Sequence, residues 1–290
     1  MNKFQGETKK LAITIDFENF SHDLGRSLGI VNQIRCRQDA LLRSYEFFMA
    51  LMNKNFKNTK ATFFCTGVLA EKNPEIIKKI SMDGHEIACH YYYHDDLNKA
   101  SISDARNKLD RAKKILQDVS GQEILGFRAP RFSLKLQDEA HWALITQMFR
   151  YDSSLHFSEH LEFKSCMSRF NLDGFTEFPV AKQKVVPFLP KFKIGGSYLK
   201  LFPAGLVKKA VAKTAEGQLL PIVYLHPYDL LPSAEFGLSY SELKGLGITK
   251  KIHTLLWQMQ WTRIENSQML KKIRTITDGY SNVGPLNTLL

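Results

Sequence analysis

The segment LAITIDFE, residues 11–18, decides the fold because a short apolar run passes directly into two acidic residues. Its first five residues, Leu11 to Ile15, have the apolar and β-branched side chains of a strand that is buried on both faces. Similar apolar runs follow along the chain, and longer segments with helical periodicity separate them. Strands are predicted at 61–65, 86–89, 124–127 and 222–225, and helices at 39–56, 74–83, 103–117, 138–149 and 250–276. This alternation predicts a mostly parallel sheet that is covered by helices.

The composition is typical of one folded domain. Of the 290 residues, 44% are hydrophobic and 24% are charged, and these proportions exclude a generally disordered protein. No internal repeat, low-complexity linker or change of composition divides the chain. We therefore expect a single α/β domain over residues 1–290, with residues 240–290 as closing C-terminal helices. Such a sheet is expected to curl into a (β/α) barrel with its chemistry at the carboxyl ends of the strands.

Two carboxylates end the first strand. Asp16 and Glu18 are two residues apart, so on an extended chain both side chains lie on one face of the sheet. Two ionised carboxylates held side by side are unfavourable unless a cation or an arginine neutralises them. The pattern therefore indicates a charged site, although alone it is equally compatible with ordinary acids at a solvated strand end.

Two histidines follow the strand predicted at 86–89. His90 and His94 are four residues apart, so a helical turn would place both imidazoles on one face. Two imidazoles and one carboxylate form a ligand set that zinc accepts while a position stays open for water. An isolated pair of this kind is more often two unrelated histidines, and the acidic strand end, which supplies the third ligand, is what favours a metal site.

An arginine and a third histidine follow two further strands. Arg128 comes directly after a buried strand, where Asp16 is its natural partner, although a surface arginine before Pro130 is the alternative. His226 follows the late strand. Since the ordinary pKa of histidine is about 6.5, His226 is a candidate general acid, with a purely structural histidine as the alternative.

The charge is concentrated in one segment. Lys plus Arg number 40 against 29 for Asp plus Glu, which gives a formal net charge of +11 and favours anionic partners. Residues 181–215 hold eight lysines and no acid. We expect this segment to meet phosphate, on a substrate or at an anionic membrane surface, with solvated lysines as the alternative. The sequence has no zinc-finger, helix-turn-helix or RNA-recognition signature, so no nucleic-acid partner is expected.

The sequence predicts a cytoplasmic location, in peripheral contact with the inner face of the membrane at most. The first residues lack the apolar stretch of a signal peptide, and no apolar run reaches the length of about 18 residues that a membrane span needs. The four cysteines form no CxxC pair, and Cys65 and Cys89 lie inside apolar runs. Both are expected to be buried thiols in a reducing compartment.

Taken in order, five segments resemble the motifs of the polysaccharide deacetylase family, which is also called carbohydrate esterase family 4 and NodB-like. They are TIDFE (14–18), ATFFCTG (61–67), GHEI (84–87) with His90 and His94, GFRAP (126–130) and LHP (225–227). The resemblance extends from residue 10 to about residue 230. Segments 174–180, 195–203 and 224–229 look like the subgroup linked to bacterial surface-polysaccharide biosynthesis. The resemblance implies a distorted (β/α) barrel of about seven parallel strands in one domain.

The resemblance also implies an activity, the metal-dependent removal of an N-acyl group, acetyl or formyl, from a sugar. Glu18, His90 and His94 would bind a divalent metal, with zinc as the first choice. Asp16 would act as the base and Arg128 would orient it. His226 would protonate the leaving amine, and a backbone N–H near Arg131 would help to hold the oxyanion.

This sequence departs from the family pattern at two positions. The first motif usually has two adjacent aspartates, but here Phe17 takes the second place and Glu18 follows, so an exchange of roles between Asp16 and Glu18 stays open. Arg131 replaces the tyrosine of the RxPY motif, which favours an anionic substrate such as a sugar nucleotide or a lipid-linked sugar phosphate. The candidate substrate-binding residues are Arg131, Asp152, Tyr198 and Tyr228, and Asp152 is also the candidate support for His226.

Two other functions stay open at this point. A related barrel can hydrolyse a non-sugar amide such as a ureide, and the altered first motif is compatible with a catalytically silent glycan-binding barrel. Metal content and a comparison of the two substrate types distinguish these alternatives.

Overall fold

A parallel sheet of seven strands forms the centre of the molecule. The computed structural model describes residues 9–56, 59–168, 174–231, 234–262 and 269–290. Within these ranges the strands are β1 (Lys9–Phe17), β2 (Thr62–Cys65), β3 (Glu86–Cys89), β4 (Gly126–Phe127), β5 (Tyr151–Asp152), β6 (Thr176–Glu177), β7 (Lys182–Gln183), β8 (Phe192–Lys193), β9 (Ile222–Leu225) and β10 (Tyr280–Asn282). The central order is β9-β1-β2-β3-β4-β5-β6, and every neighbouring pair is parallel. The predicted fold, a distorted (β/α) barrel of about seven parallel strands, is confirmed.

Helices cover the outer face of this sheet. Within the described ranges they are α1 (Phe20–Ser27), α2 (Gln38–Phe56), α3 (Gly67–Lys72), α4 (Pro74–Met82), α5 (Ile102–Ser120), α6 (Glu139–Met148), α7 (His160–Met167), α8 (Ser197–Leu201), α9 (Ala204–Glu216), α10 (Pro227–Leu230), α11 (Ile248–Thr262) and α12 (Met269–Thr277). The short strand β10 pairs in parallel with the first residues of β1, and β7 and β8 form a separate antiparallel pair. The domain limits at residues 1 and 290 stay a prediction.

Alternate residues of β1 divide between two apolar layers. Leu11, Ile13, Ile15 and Phe17 belong to the large core that also contains the helices. Ala12 belongs to a second, smaller cluster, which includes Phe64, Ala88 and Tyr224 from the neighbouring strands. Because side chains alternate along a strand, Asp16 lies on the same inner face as Ala12. The strand therefore carries its acid toward the inside of the curled sheet, while Phe17 packs edge-on against Phe63 at 5.7 Å.

The predicted element boundaries agree closely with the structure where glycine or proline marks an end. Proline at the first position begins α4 at Pro74, and Gly121 ends α5 with the left-handed φ of 68° that favours glycine. The strand predicted at 124–127 is shorter, since β4 has only two residues. The helical region predicted at 250–276 consists of α11 and α12, and residues 263–268 between them lie outside the described residues.

The segment from His90 to His94 does not form a helical turn. Tyr91 has a φ of 63°, and the backbone bends there instead of continuing into a helix. Arg26 from α1 stacks on the Tyr93 ring at 3.8 Å, and its guanidinium pairs with the carboxylate of Asp95. These contacts hold the loop in a bend that brings the two imidazole rings to 5.4 Å between centroids.

The thiols agree with the sequence analysis. Cys65 and Cys89 are buried and unpaired, and burial raises the pKa of Cys89 to about 12. In the described part of the chain, no helix combines the length and the hydrophobicity that a membrane span requires.

Candidate active site

Glu18, His90 and His94 form the candidate metal centre. One potential ligand atom from each residue lies within 4.8 Å of the other two, and His94 Nε2 is 2.9 Å from Glu18 Oε2. Glu18 and His90 are buried, whereas the side chain of His94 is 17% exposed. The group therefore opens toward solvent on the side of His94.

The hydrogen bonds around these residues leave ligand atoms available. His90 Nδ1 lies 2.8 Å from the carbonyl oxygen of Arg128, which fixes the ring with Nε2 as the unprotonated nitrogen. Among the described residues, His90 Nε2 is buried without a hydrogen-bond partner, while the buried Glu18 Oε2 faces His94 Nε2. Buried polar atoms are rarely left unpaired, and a cation shared by the three residues satisfies His90 Nε2. The donor set, two imidazoles and a carboxylate, thus fits a divalent metal.

The protonation states suit the same role. Burial lowers the pKa of His90 to about 4, so this imidazole stays neutral near pH 7. Burial disfavours ionisation of Glu18, but the nearby His94 outweighs it and lowers the pKa of Glu18 to about 2. Metal ligands must be deprotonated, and both of these groups already are.

Asp16 lies beside the candidate metal centre and is bound by an arginine. The Arg128 side chain is fully buried and donates to Asp16 Oδ1 at 2.7 Å and to Thr14 Oγ1 at 2.9 Å. Its remaining donors are bound by the carbonyl and the hydroxyl of Ser153, at 3.1 and 2.8 Å. Burial alone would raise the pKa of Asp16, but the guanidinium outweighs it and the pKa is lowered. Asp16 is therefore an ionised carboxylate with one oxygen bound and the other, Oδ2, directed toward His226.

His226 stands at the end of β9, opposite Asp16. Its Nε2 is 4.0 Å from Asp16 Oδ2, and its Nδ1 is 2.8 Å from Asp229 Oδ2. The same Asp229 oxygen accepts the backbone N–H of His226 at 2.9 Å, so one carboxylate both caps α10 and orients the ring. Burial would lower the pKa of His226, but Asp229 outweighs it and the pKa is raised. Such an imidazole holds a proton near neutral pH with Nε2 directed into the site.

A buried lysine supports this pair. Lys200 on α8 is 1% exposed, and its Nζ lies 3.0 Å from Asp229 Oδ1. Burial opposes ionisation of Asp229, but Lys200 and then His226 outweigh it and lower the pKa of Asp229 to about 2. The chain Lys200–Asp229–His226 therefore keeps a charged carboxylate behind the imidazole.

Glycine and tyrosine shape the space around His226. A Cβ atom on Gly195 would lie 2.1 Å from the ring of Tyr224, and one on Gly196 would lie 3.0 Å from His226 Cε1. The backbone of these two glycines thus packs against β9 where no larger residue fits. Tyr228 stacks on the His226 ring at 4.7 Å, and its hydroxyl donates to Glu18 Oε1 at 3.4 Å.

The four predicted substrate-binding residues have different positions. Arg131 is exposed and close enough to act electrostatically on His94, so it lies at the rim of the site. Tyr198 is half-buried and packs on Phe202 in parallel at 6.1 Å. Tyr228 is buried behind Glu18 and His226 and serves to position them.

Asp152 does not have the position that the sequence analysis gave it. It is fully buried, and its two oxygens accept the backbone N–H and the hydroxyl of Ser154, each at 2.7 Å. It therefore has no surface for a sugar, and Asp229 supports His226 instead. Burial raises the pKa of Asp152 and that of the adjacent Glu177, so this buried acid pair retains a proton.

The lysine-rich segment 181–215 is not one uniform basic surface. Lys200 is part of the interior, and Lys193 is partly buried with its Nζ 4.2 Å from the centre of the Phe132 ring. Burial lowers the pKa of Lys193 to about 8. Lys208 pairs with Asp278 at 2.9 Å. The expectation that Lys200 meets phosphate is therefore wrong, because its charge is neutralised by Asp229.

Sequence reasoning missed the roles of Asp229 and Lys200. The spacing of His226 and Asp229, with Pro227 at the start of a helical turn, is the signal that identifies Asp229 as a capping and orienting residue. Lys200 gives no comparable local signal, because its partner is 29 positions away and it is one of eight lysines in residues 181–215.

Two family models match this chain. Residues 44–148 match "Polysaccharide deacetylase", and residues 158–269 match "Domain of unknown function (DUF3473)". The first match contains His90, His94 and Arg128. The second contains Lys200, His226 and Asp229, while Asp16 and Glu18 precede both.

Curated relatives are similar over part of the chain. A peptidoglycan-N-acetylglucosamine deacetylase of Bacillus cereus is 37% identical over 86 residues, which is 30% of this chain and 31% of the relative. A peptidoglycan-N-acetylmuramic acid deacetylase of Bacillus subtilis is 34% identical over 71 residues, or 24% of this chain and 27% of the relative. The matched regions span less than a third of the length of these relatives.

Solved structures share the fold. A protein from Mycobacterium smegmatis assigned to the polysaccharide deacetylases superposes with a TM-score of 0.52 at 20% identity, covering 94% of this chain and 93% of its own. A peptidoglycan N-acetylglucosamine deacetylase superposes with a TM-score of 0.50 at 16% identity, covering 98% and 88%. At these identities the likeness concerns the fold alone.

Proposed function

Because the family model and the curated relatives support membership of the polysaccharide deacetylase family, we propose that this chain is a metal-dependent hydrolase that removes an N-acyl group from a sugar. The observation that carries the proposal is the candidate metal centre. Among the described residues His90 Nε2 is buried without a hydrogen-bond partner, Glu18 and His94 are grouped with it, and an ionised Asp16 lies beside them.

Glu18, His90 and His94 would hold the metal. Zinc is the proposed ion, since it commonly takes two imidazoles and a carboxylate and leaves a position open. When bound, such an ion lowers the pKa of water and polarises the acyl carbonyl group. The Arg128 carbonyl fixes His90, and the Tyr228 hydroxyl donates to Glu18, so the protein presents these ligands in a fixed orientation.

The proton transfers are assigned to two residues on opposite sides of the site. Asp16, held ionised by Arg128, accepts the proton of the attacking water at Oδ2. His226, held protonated by Asp229, donates from Nε2 to the leaving amine. Asp16 Oδ2 and His226 Nε2 are 4.0 Å apart. At this distance one residue can contact the attacking water while the other contacts the leaving nitrogen of the same amide. A backbone N–H near Arg131 is proposed to bind the oxyanion.

The proposed substrate is an anionic N-acylated sugar. Arg131 at the rim and the partly buried Lys193 place positive charge beside the site. A phosphorylated or lipid-linked sugar of surface-glycan synthesis, processed in the cytoplasm, matches this charge. The names of the curated relatives point instead to peptidoglycan, so both substrate classes belong in the test. The exposed lysines of 181–215, such as Lys184 and Lys191, are proposed to contact the phosphate.

The test is the release of free amine from N-acetylated and N-formylated sugars, free, nucleotide-linked, lipid-linked or within peptidoglycan. Activity should disappear when the metal is removed by a chelator and return when zinc is added back. His90→Ala should abolish it, and His253→Ala, which changes an exposed histidine on α11, should not. Equal amine release with and without metal would contradict the proposal. Hydrolysis of ureides alone would favour the alternative amidase.

A further inference from the structure

Helix α11 presents apolar side chains to the outside of the molecule. Four of them share one face, because they are separated by four, four and three residues. This set, named here the α11 stripe, consists of Ile248, Ile252, Leu256 and Met259, with exposed fractions of 59, 51, 64 and 39%. A cluster of large apolar side chains at this exposure is typical of an interaction surface.

The rest of α11 packs on the molecule through both apolar and polar side chains: Leu255 contacts a small apolar cluster and Trp257 stacks on Phe20. Thr254 and Gln258 are only 4 and 6% exposed. The Gln258 side-chain amide binds both the N–H and the carbonyl of Leu238, each at 2.7 Å. These contacts anchor the helix, and they leave the side chains of the α11 stripe directed outward.

The exposed charges around the α11 stripe are mainly positive, and Glu235, in a segment that contacts α11, pairs with Arg43. Between Phe236 and Met259, the exposed charged side chains are Lys244 and Lys250, and Lys251 is half-buried with its Nζ 4.8 Å from the Tyr240 ring. The acid in this stretch, Glu242, is buried and neutralised by Arg37 at 2.8 Å. An apolar stripe with lysines and an exposed tyrosine is the composition of a helix that lies in the headgroup region of an anionic membrane.

Aromatic contacts connect the same helix to the candidate active site. Trp257, which is 41% exposed, stacks on Phe20 at 6.1 Å. Phe20 meets the edge of Tyr228 at 5.3 Å, and Tyr228 stacks on His226. Three aromatic contacts therefore connect α11 to the proposed acid, through Trp257, which lies outside the α11 stripe.

We infer that the α11 stripe and its lysines dock on the surface of an anionic lipid bilayer. The apolar side chains enter the boundary of the acyl chains, while Lys244 and Lys250 meet acidic headgroups. A symmetric dimer through the same face would place the lysines of two copies together, which is unfavourable. The bilayer supplies the opposite charge, and the net charge of +11 adds long-range attraction.

The experiment is cosedimentation of the full chain with vesicles of phosphatidylcholine alone or with phosphatidylglycerol. Binding should require phosphatidylglycerol and weaken as salt is raised. The double variant Ile252→Ser and Leu256→Ser should reduce the partition constant at least about tenfold. Each substitution removes an aliphatic side chain that docking would transfer from water into the bilayer. Lys250→Gln should reduce it about fivefold.

The matched control is Leu161→Ser, which removes a 77% exposed leucine from α7 and should leave binding unchanged. The circular dichroism of each variant should match that of the wild type, since the substituted side chains are exposed. The inference would be overturned if the wild type did not bind the vesicles, or if the stripe variants bound them as strongly as the wild type does. The inference would also be overturned if light scattering showed that the wild type is a dimer, that the stripe variants are monomers, and that neither binds vesicles. Because vesicle binding needs no turnover, its outcome is independent of the proposed hydrolase activity.

Discussion

Replacing Asp229 with asparagine should move the alkaline limb of the pH–rate profile to lower pH. Asp229 Oδ2 lies 2.8 Å from His226 Nδ1 and outweighs the effect of burial to raise the pKa of the imidazole. A hydrogen bond between charged groups contributes about 1.5–3 kcal/mol. At 1.36 kcal/mol per pKa unit, losing it lowers the pKa of His226 by about one to two units.

The sign follows from the role of His226 as an acid. Activity needs its proton, so it is present below the pKa of His226 and is lost as the pH rises through that pKa. The assay is kcat/KM for amine release between pH 5 and 9. Asp229→Asn should lose about 10- to 100-fold at pH 8 and much less at pH 5.5. The stability that the pair contributes is likewise present below pH about 6.5 and lost as the pH rises through the raised pKa.

Lys200 supplies the internal check. If Lys200 acts through Asp229, Lys200→Met should change the pH profile in the wild-type background but not in the Asp229→Asn background. Breaking this buried pair should also cost about 3–5 kcal/mol of unfolding free energy. Lys208→Met, which breaks the more exposed pair with Asp278, should reduce the unfolding free energy far less. An Asp229→Asn profile that falls uniformly at all pH values would refute the assignment of His226 as the acid.

Three further variants test other parts of the site. Arg128→Met leaves the buried Asp16 without its cation, so the pKa of Asp16 should rise and the acidic limb of the pH profile should move to higher pH. Urea unfolding of this variant should show a free energy of unfolding that is lower by about 3–5 kcal/mol. Tyr228→Phe removes the hydroxyl that donates to Glu18 but keeps the ring on His226, and zinc titration should show about 10-fold weaker binding with an intact fold. Arg131→Gln should raise KM about tenfold for a phosphorylated substrate and leave kcat and the KM of a neutral sugar unchanged; equal effects on both substrates would argue against an anionic specificity.

The grouping of reactive residues at the carboxyl ends of the strands could be predicted from the sequence, because it depends on local patterns. The alternation in β1 places Asp16 and Glu18 on one face, and the structure confirms that Phe17 lies on the other. Short parallel strands in the order of the motifs bring His90 and Arg128 to the same edge of the sheet. These inferences need only the twofold periodicity of a strand and the rule that parallel strands end on one side.

Contacts between distant segments could not be predicted in this way. The bend at Tyr91 depends on Arg26 of α1, which stacks on Tyr93 far along the chain. In the sequence Lys200 is one of eight lysines in residues 181–215, and only its contact with Asp229, 29 positions away, identifies it as an interior cation. A residue whose role is set by a distant partner gives no periodic signal.

The most direct test of the account measures metal content and turnover together on Asp16→Asn and Glu18→Gln. The structure groups Glu18 with His90 and His94, and it binds Asp16 to Arg128. Asp16→Asn should therefore retain stoichiometric metal and lose amine release, whereas Glu18→Gln should lose both. If Asp16→Asn lost the metal and Glu18→Gln retained it fully, the roles of the two residues would be exchanged. Amine release by a variant that has lost its metal would contradict the account.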